Sequence, residues 1–429
     1  MDNNISRKTR IHEILKVLIA SIFIFHACSS NDEYDMKNFK RISLEFPGKC
    51  EAWIPEQRPE GGQAISKDGK IYLAYSSPSY IYALNKDCQL IWGIEITSKN
   101  TFICEYESLT IGENDDIYVL SEDPSESNRI SFLNSISPEG KLNWSLEFEG
   151  DCNINNPLAI GSDGTIYHLK EGYRNLYSIS PGGTINWTVE FPGELSWNII
   201  IGPEDTIYLN EISGIFYAVS KDGKIVFSIN LFESNVNEGK EYVWRTYIGP
   251  DGMIYIISRF VDENNNENYY LIKLNQEGKI VWRISLESGD LGYIPLLIGP
   301  EGNIYVDVEI PYPTLYSYDQ DGNIKWLLRK NEIFGYNIGV GLGPLNSEGN
   351  MYLSTSDNKT YVIDNTGGIL NEMITGDYNF VLMDEKGNLY SFHSGKLSIF
   401  SSESEGYSKS GWPMEHHDPQ NTNRWDGGS

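Results

Sequence analysis

Leu158-Ala159-Ile160-Gly161-Ser162-Asp163-Gly164-Thr165-Ile166-Tyr167, followed by Leu176-Tyr177-Ser178-Ile179-Ser180 and Gly183-Thr184-Ile185-Asn186-Trp187, is the clearest copy of a unit that recurs along the chain. Its tyrosine returns at Tyr72, Tyr118, Tyr167, Tyr208, Tyr255, Tyr305, Tyr352 and Tyr390, at spacings of 38 to 50 residues. Its tryptophan returns at Trp92, Trp144, Trp187, Trp282 and Trp326, with Phe227 and Leu370 in that place in the fourth and seventh units. Each unit holds short segments that alternate apolar with polar and are rich in Ile, Tyr and Trp, the pattern of half-buried strands. Asp-Gly and Glu-Gly pairs between first and second, and between third and fourth, segments supply the positive-φ residues of tight hairpins. A repeat of this length made of four antiparallel strands is a propeller blade, and a blade buries its faces only by stacking on its neighbours. The reading is an all-β, eight-bladed β-propeller of four-stranded antiparallel blades. The repeated Trp92, Trp144, Trp187, Trp282 and Trp326 are expected to pack blade against blade.

The eighth unit loses the pattern after Phe400 and lacks a fourth strand. Ile42-Ser43-Leu44-Glu45-Phe46-Pro47-Gly48 matches Trp187-Thr188-Val189-Glu190-Phe191-Pro192-Gly193 nearly position for position. The N-terminal segment Arg41 to Phe46 is therefore expected beside Lys396 to Phe400, leaving no open sheet edge at the seam. Tyr407 to Met414 is the competing source of that strand.

The chain opens on a basic stretch (Arg7, Lys8, Arg10, Lys16), an apolar run from Val17 to Phe25, and Phe25-His26-Ala27-Cys28. The run is too short to span a bilayer and reads as a cleaved signal. The segment resembles a bacterial lipoprotein signal, with Cys28 as the lipidated residue and the polar, acidic tract after it as a tether. The domain reading is signal peptide at 1–27, acidic tether at 28–40, propeller at 41–405 and a C-terminal segment at 406–429 packed on the propeller. Without residues 1–27 the chain holds 29 basic against 58 acidic residues. Such a surface repels nucleic acid and anionic headgroups, so nucleic acid is excluded as a partner and the membrane is reached through the N-terminal lipid only.

The Gly-x-Ile-x-Trp repeats resemble the tryptophan-docking motif of the pyrroloquinoline-quinone-like (quinoprotein-type) β-propeller superfamily, over residues 41 to 425. Gly411-Trp412-Pro413-Met414-Glu415-His416-His417-Asp418-Pro419-Gln420-Asn421-Thr422 resembles a segment at the ends of its bacterial members. That family includes quinone-dependent dehydrogenases and a non-enzymatic lipoprotein subunit of the outer-membrane β-barrel assembly machinery. The dehydrogenases carry a vicinal cysteine pair and long insertions. Here Cys28, Cys50, Cys88, Cys104 and Cys152 are isolated, so no cofactor is expected. Cys50, Cys104 and Cys152 fall in three consecutive blade-joining loops, where Cys50 with Cys104, or Cys104 with Cys152, are the pairings to consider. Adjacent His416 and His417 point in different directions on most backbones, so no metal site is expected.

In register, the blade-joining loops carry Trp53, Tyr106, Trp197, Trp244, Tyr293, Tyr336 and Tyr378, accompanied by Arg58, Asn198 and Arg245. Aromatic faces interspersed with amide and guanidinium groups suit a sugar or an extended peptide. No catalytic residue is assigned. The expected function is that of a monomeric, non-catalytic lipoprotein of the bacterial outer membrane, on its periplasmic side or the cell surface, whose propeller face binds an envelope protein or glycan. The rival is a carbohydrate-active enzyme, a polysaccharide lyase or glycoside hydrolase on a propeller scaffold.

Overall fold

The computed structural model describes residues 39–42 and most of 62–425; residues 1–38, 43–61, 426–429 and several blade-joining segments lie outside the described residues. The repeat folds as its turn residues dictate. In the third blade Gly164 N donates to Gly161 O at 2.9 Å and Gly161 N to Thr165 O at 2.8 Å, closing the first hairpin. The same arrangement at Ser180 and Gly183 closes the hairpin between third and fourth strands, with Gly183 at φ 81°. Sheets of four antiparallel strands follow, ordered inner to outer as they occur in sequence.

Seven blades are built in this way, at residues 62–95, 102–149, 159–190, 200–230, 239–286, 296–329 and 340–374. In the second, the inner strand is broken into Phe102–Ile103 and Leu109–Ile111, both paired with Ile117–Asp123. The expectation of eight blades is thereby corrected to seven. The eighth unit makes no blade of its own, because the chain leaves it after its third strand. It contributes Val381–Met383, Asn388–His393 and Lys396–Ser402 to a closing sheet whose remaining strand is Phe39–Ile42. That strand pairs antiparallel with Lys396–Ser402, Phe39 opposite Ser402 and Ile42 opposite Ile399. Ile399 in turn faces Tyr390, as Trp187 faces Ser178 and Ser178 faces Tyr167, so Ile42 holds the repeat's tryptophan position. Tyr407 to Met414 does not supply the strand; Tyr407 bridges Asn346 of the seventh blade instead.

The closing sheet buries Tyr390, Leu397 and Ile399 against Ile65, Leu73 and Cys88 of the first blade. Its other face buries Met383 and Leu389 against Tyr352 and Val362 of the seventh. Between blades the tryptophans form a repeated clasp. Trp92, Trp144, Trp187, Trp282 and Trp326 each donate the indole N–H to a carbonyl of the next blade's outer hairpin, that of Pro138, Pro181, Lys221, Gln320 and Asn365, at 2.8 to 3.0 Å. Each of the five rings also lies 5.8 to 6.1 Å from the repeat tyrosine of its own blade. The ring covers the glycine of the hairpin it bonds: a Cβ on Gly183 would sit 2.6 Å from Trp144. Glycine is thus required there by contact as well as by φ. Phe227 covers Gly278 in the same way but has no N–H to donate. At the seam the clasp is missing on both sides. Leu370 stands in the seventh blade where the closing sheet has no outer hairpin to receive an indole, and in the first blade Cys88, at φ 56°, stands where the other hairpins have glycine.

Candidate functional site

Every inner strand runs from a blade-joining loop toward its first hairpin, so the two ends of the central channel differ in chemistry. The hairpin end is closed by the C-terminal segment. Tyr407 N bonds Asp384 O; Ser408 N bonds Leu345 O, and Leu345 N bonds Pro413 O; Trp412 and Ile298 exchange both backbone bonds. Trp412, almost fully buried, meets Tyr247 of the fifth blade edge-on at 6.0 Å. The segment then crosses the channel. Ile111 N donates to Gln420 O, Ile160 N to Thr422 O and Ile201 N to Asn423 O, each at 2.9 Å. Asn421 Nδ2 reaches Gln63 O and Leu109 O, joining the first and second blades. One stretch of chain therefore bonds or packs against all seven blades and the closing sheet.

The plug is held in shape from within. Asp418 accepts from Gln420 N at 2.9 Å, Thr422 N at 3.1 Å and the Thr422 hydroxyl. Burial alone would push this carboxyl up, but the adjacent His417 and the bonds from Thr422 outweigh it and hold it below the usual carboxylate range. His416 Nδ1 lies 3.2 Å from Asn423 Oδ1, and Arg424 joins Gly161 O to the Glu113 carboxylate. Of the residues singled out in this segment, His416, His417 and Asp418 are all buried in the plug. Among the described residues no group of three or more His, Cys, Asp or Glu side chains is placed to hold a metal ion. A pocket of about 350 Å³ remains beside the plug, lined by Lys67, Glu113, Glu385, Lys409 and Arg424 among others, with opposite charges paired.

The other end of the channel carries the blade-joining loops. Of the expected face residues, Trp53, Arg58, Tyr106, Trp197, Tyr293, Tyr336 and Tyr378 lie outside the described residues, as does Cys28. Trp244 falls at a bulge between Val243 and Arg245 in the inner strand Gly239–Ile248; of its side chain nothing is described. Arg245 is half-buried in the same strand, and Asn198 Nδ2 donates to Thr246 O at 3.0 Å, tying the preceding loop to it. The loop residues Asn198, Trp244 and Arg245 are thus gathered at the inner strand of the fifth blade. Cys104 is disulfide-bonded to a partner outside the described residues, whereas Cys88 is buried and not disulfide-bonded.

Three polar assemblies at this end escaped the sequence reading. In the fifth blade Glu241 accepts from Ser258 Oγ and from Arg283 at 2.6 Å, while the guanidinium lies 4.0 Å from the Tyr270 ring centre. This brace crosses all four strands, and an Arg259–Glu267 pair adds to it. The strands concerned, Gly239–Ile248, Ile254–Asp262, Glu267–Leu274 and Ile280–Leu286, run to ten residues, against five or six in most other blades. In the sixth blade a fully buried Lys330 pairs with a buried Asp307. In the fourth, buried Glu211 accepts from Gly193 N at 2.9 Å and the Tyr217 hydroxyl at 2.7 Å. The signal available beforehand was the longer fifth unit, whose added residues lengthen the second and third strands and turn between them at Asp262-Glu263-Asn264-Asn265-Asn266.

No protein-family model matches the chain, and no curated protein matches it in sequence. Among solved structures it is similar to BamB from Moraxella catarrhalis, with a TM-score of 0.54 and 12% identity, covering 79% of this chain and 96% of that one. It is likewise similar to the Dos1 propeller, with a TM-score of 0.56 and 12% identity over 82% of this chain and 96% of that one. At such identity the likeness establishes the propeller fold.

Proposed function

We propose that the chain is a non-catalytic cell-envelope lipoprotein, held at the bacterial outer membrane through Cys28, whose open propeller mouth grips a protein or glycan partner. The observation that carries this reading is the asymmetry of the channel. The protein's own C-terminal segment lies across one end and bonds or packs against all seven blades and the closing sheet, which turns the proposal to the mouth that carries the blade-joining loops. The loops entering that mouth hold Trp53, Arg58, Tyr106, Trp197, Trp244, Tyr293, Tyr336 and Tyr378 in sequence, beside Asn198 and Arg245. Aromatic and arginine side chains of this kind are the usual anchors of binding hot spots. The braced, elongated strands of the fifth blade give Trp244 and Arg245, which lie in one of them, a rigid base. The BamB likeness, though one of fold, is in keeping with an envelope role.

The test is affinity capture from envelope extracts and glycan arrays with wild type, Trp53→Ala, Trp197→Ala and Trp244→Ala. Each substitution is expected to weaken retention of the partner by about ten- to several-hundred-fold, the range for aromatic anchors, with an unchanged melting curve. Retention equal to wild type in all three variants refutes the reading.

A further inference from the structure

The direction of one strand decides which end of the propeller faces the membrane. Outer strands run from their hairpins, at the plugged end, toward the open mouth. Phe39–Ile42 is the outer strand of the closing sheet and is antiparallel to Lys396–Ser402, so it starts at the plugged end as well. Ten residues separate it from Cys28. Fully extended they reach about 35 Å, so a lipid on Cys28 holds the start of this strand, at the plugged end, within that distance of the bilayer.

A second observation, independent of the tether, marks the same end. The first or second residue of the outer strand is an exposed large aliphatic in all seven blades: Ile91, Leu142, Ile185, Val226, Val281, Ile324 and Leu370 are 41 to 63% exposed. Toward the open mouth the same strands end on exposed polar residues such as Glu95, Glu190, Asn230 and Arg329. An apolar collar thus rings the wall at the plugged end in all seven blades, whereas toward the other mouth the exposed large aliphatics among the described residues are single ones, Leu327 and Ile333, and an exposed apolar surface of this extent marks a contact site. The hairpins beside it carry both signs, Lys67 and Lys70 flanking Asp68 and Lys221 and Lys224 flanking Asp222, so the collar and not net charge marks this end.

The geometry points to the plugged, collared end as the side turned toward a lipid surface, with the open mouth directed away from it. The inference rests on the lipoprotein reading above. It is tested with full-length lipidated protein on phosphatidylcholine and phosphatidylethanolamine vesicles bearing a headgroup-linked energy acceptor. A donor is attached through Lys86→p-azidophenylalanine, in an outer hairpin at the plugged end, or through Glu263→p-azidophenylalanine, in the hairpin at the open mouth. The nine-residue strand Ile254–Asp262 alone separates the two ends by about 30 Å, so transfer from position 86 should exceed that from position 263 by at least about two-fold. Equal transfer, or stronger transfer from position 263, in protein that cosediments with vesicles overturns the orientation alone and assigns the collar to a protein partner. Failure of the wild type to cosediment, with Cys28→Ser behaving identically, overturns the lipoprotein reading and the orientation with it.

Discussion

The tryptophan clasp allows the worth of a single indole N–H to be measured twice in one molecule, in opposite directions. Trp187→Phe keeps an aromatic ring over Gly223 and removes the bond to Lys221 O, 2.9 Å long. A neutral hydrogen bond contributes about 1 kcal/mol net, and the lost part of the ring removes about as much again, so a cost of about 1–2 kcal/mol is expected. Phe227 offers the converse. It covers Gly278 as the tryptophans cover their glycines, and Gln276 occupies the place of Pro138, Pro181, Lys221, Gln320 and Asn365 in the hairpin it faces. Phe227→Trp should therefore gain about 0.5–1 kcal/mol by donating to Gln276 O. With a urea slope of about 3 kcal/mol per molar, the midpoints move down by about 0.5 M in the first variant and up by about 0.2–0.3 M in the second. Equilibrium urea unfolding followed by tryptophan fluorescence and circular dichroism reads both shifts. Unchanged stability in Trp187→Phe, or a loss in Phe227→Trp with the fold intact, would refute the view that the N–H bond and not ring area alone joins the blades.

His168 is fully buried with neither ring nitrogen hydrogen-bonded, and burial pulls its pKa down to about 3, with nearby Lys170 adding to the effect. The unfolded chain takes up its proton below about 6.5 and the native state does not, so stability falls as pH drops from 6.5 toward 3, by about 2 kcal/mol at pH 5; His168→Leu should remove that part of the slope in urea melts at pH 5 and 8. Lys330→Met removes the cation paired with the buried Asp307 carboxylate and should cost about 3–5 kcal/mol, most of it recovered in Lys330→Met with Asp307→Leu; an equal loss in the double variant would mean that the site needs the charges themselves. Cys104 packs with Phe148 and Leu158, which flank Cys152 in sequence, so a non-reducing peptide map should show Cys104 joined to Cys152, and a Cys50–Cys104 peptide would refute that pairing.

The blades were legible because the features that make them are local. A hairpin glycine, a period of two and a tyrosine at a fixed offset each report within ten residues, and Ile42 could be matched to the position of Trp187 before its partner strand was known. The blade count failed for a reason that is not local. Tyr390 announces an eighth unit, but whether a unit completes a blade depends on where the chain goes after Ser402. Leu370 and Cys88 did carry the information, as departures from the repeat on either side of the seam, yet a departure has meaning only once its neighbour across the ring is known. That a C-terminal segment packs on the propeller was expected, but its seat across the channel was hidden for the same reason, since the contacts of Asn421 lie 312 and 358 residues away. At the open mouth the buried Lys330 and Glu241 look in sequence like ordinary surface charges, and only their burial distinguishes them.

Ile42 waits for a partner 357 residues further along the chain, and until Lys396–Ser402 has been made the ring is an arc with two bare ends. Contacts so distant in sequence form late and slowly, because the entropy of closing the loop is spent before the contact returns anything. The tail needs inner strands already in place, so it can seat only after the arc has curved. Unfolding should retrace this order. The seam has no indole clasp on either side, and hydrogen exchange should find its amides opening first. Cutting the chain between the closing sheet and a neighbouring blade and joining the ends would put all four strands of the closing sheet in sequential order, with the C-terminal segment and the tether between the third and the fourth. Such a permuted molecule should fold faster than the natural one at nearly the same final stability.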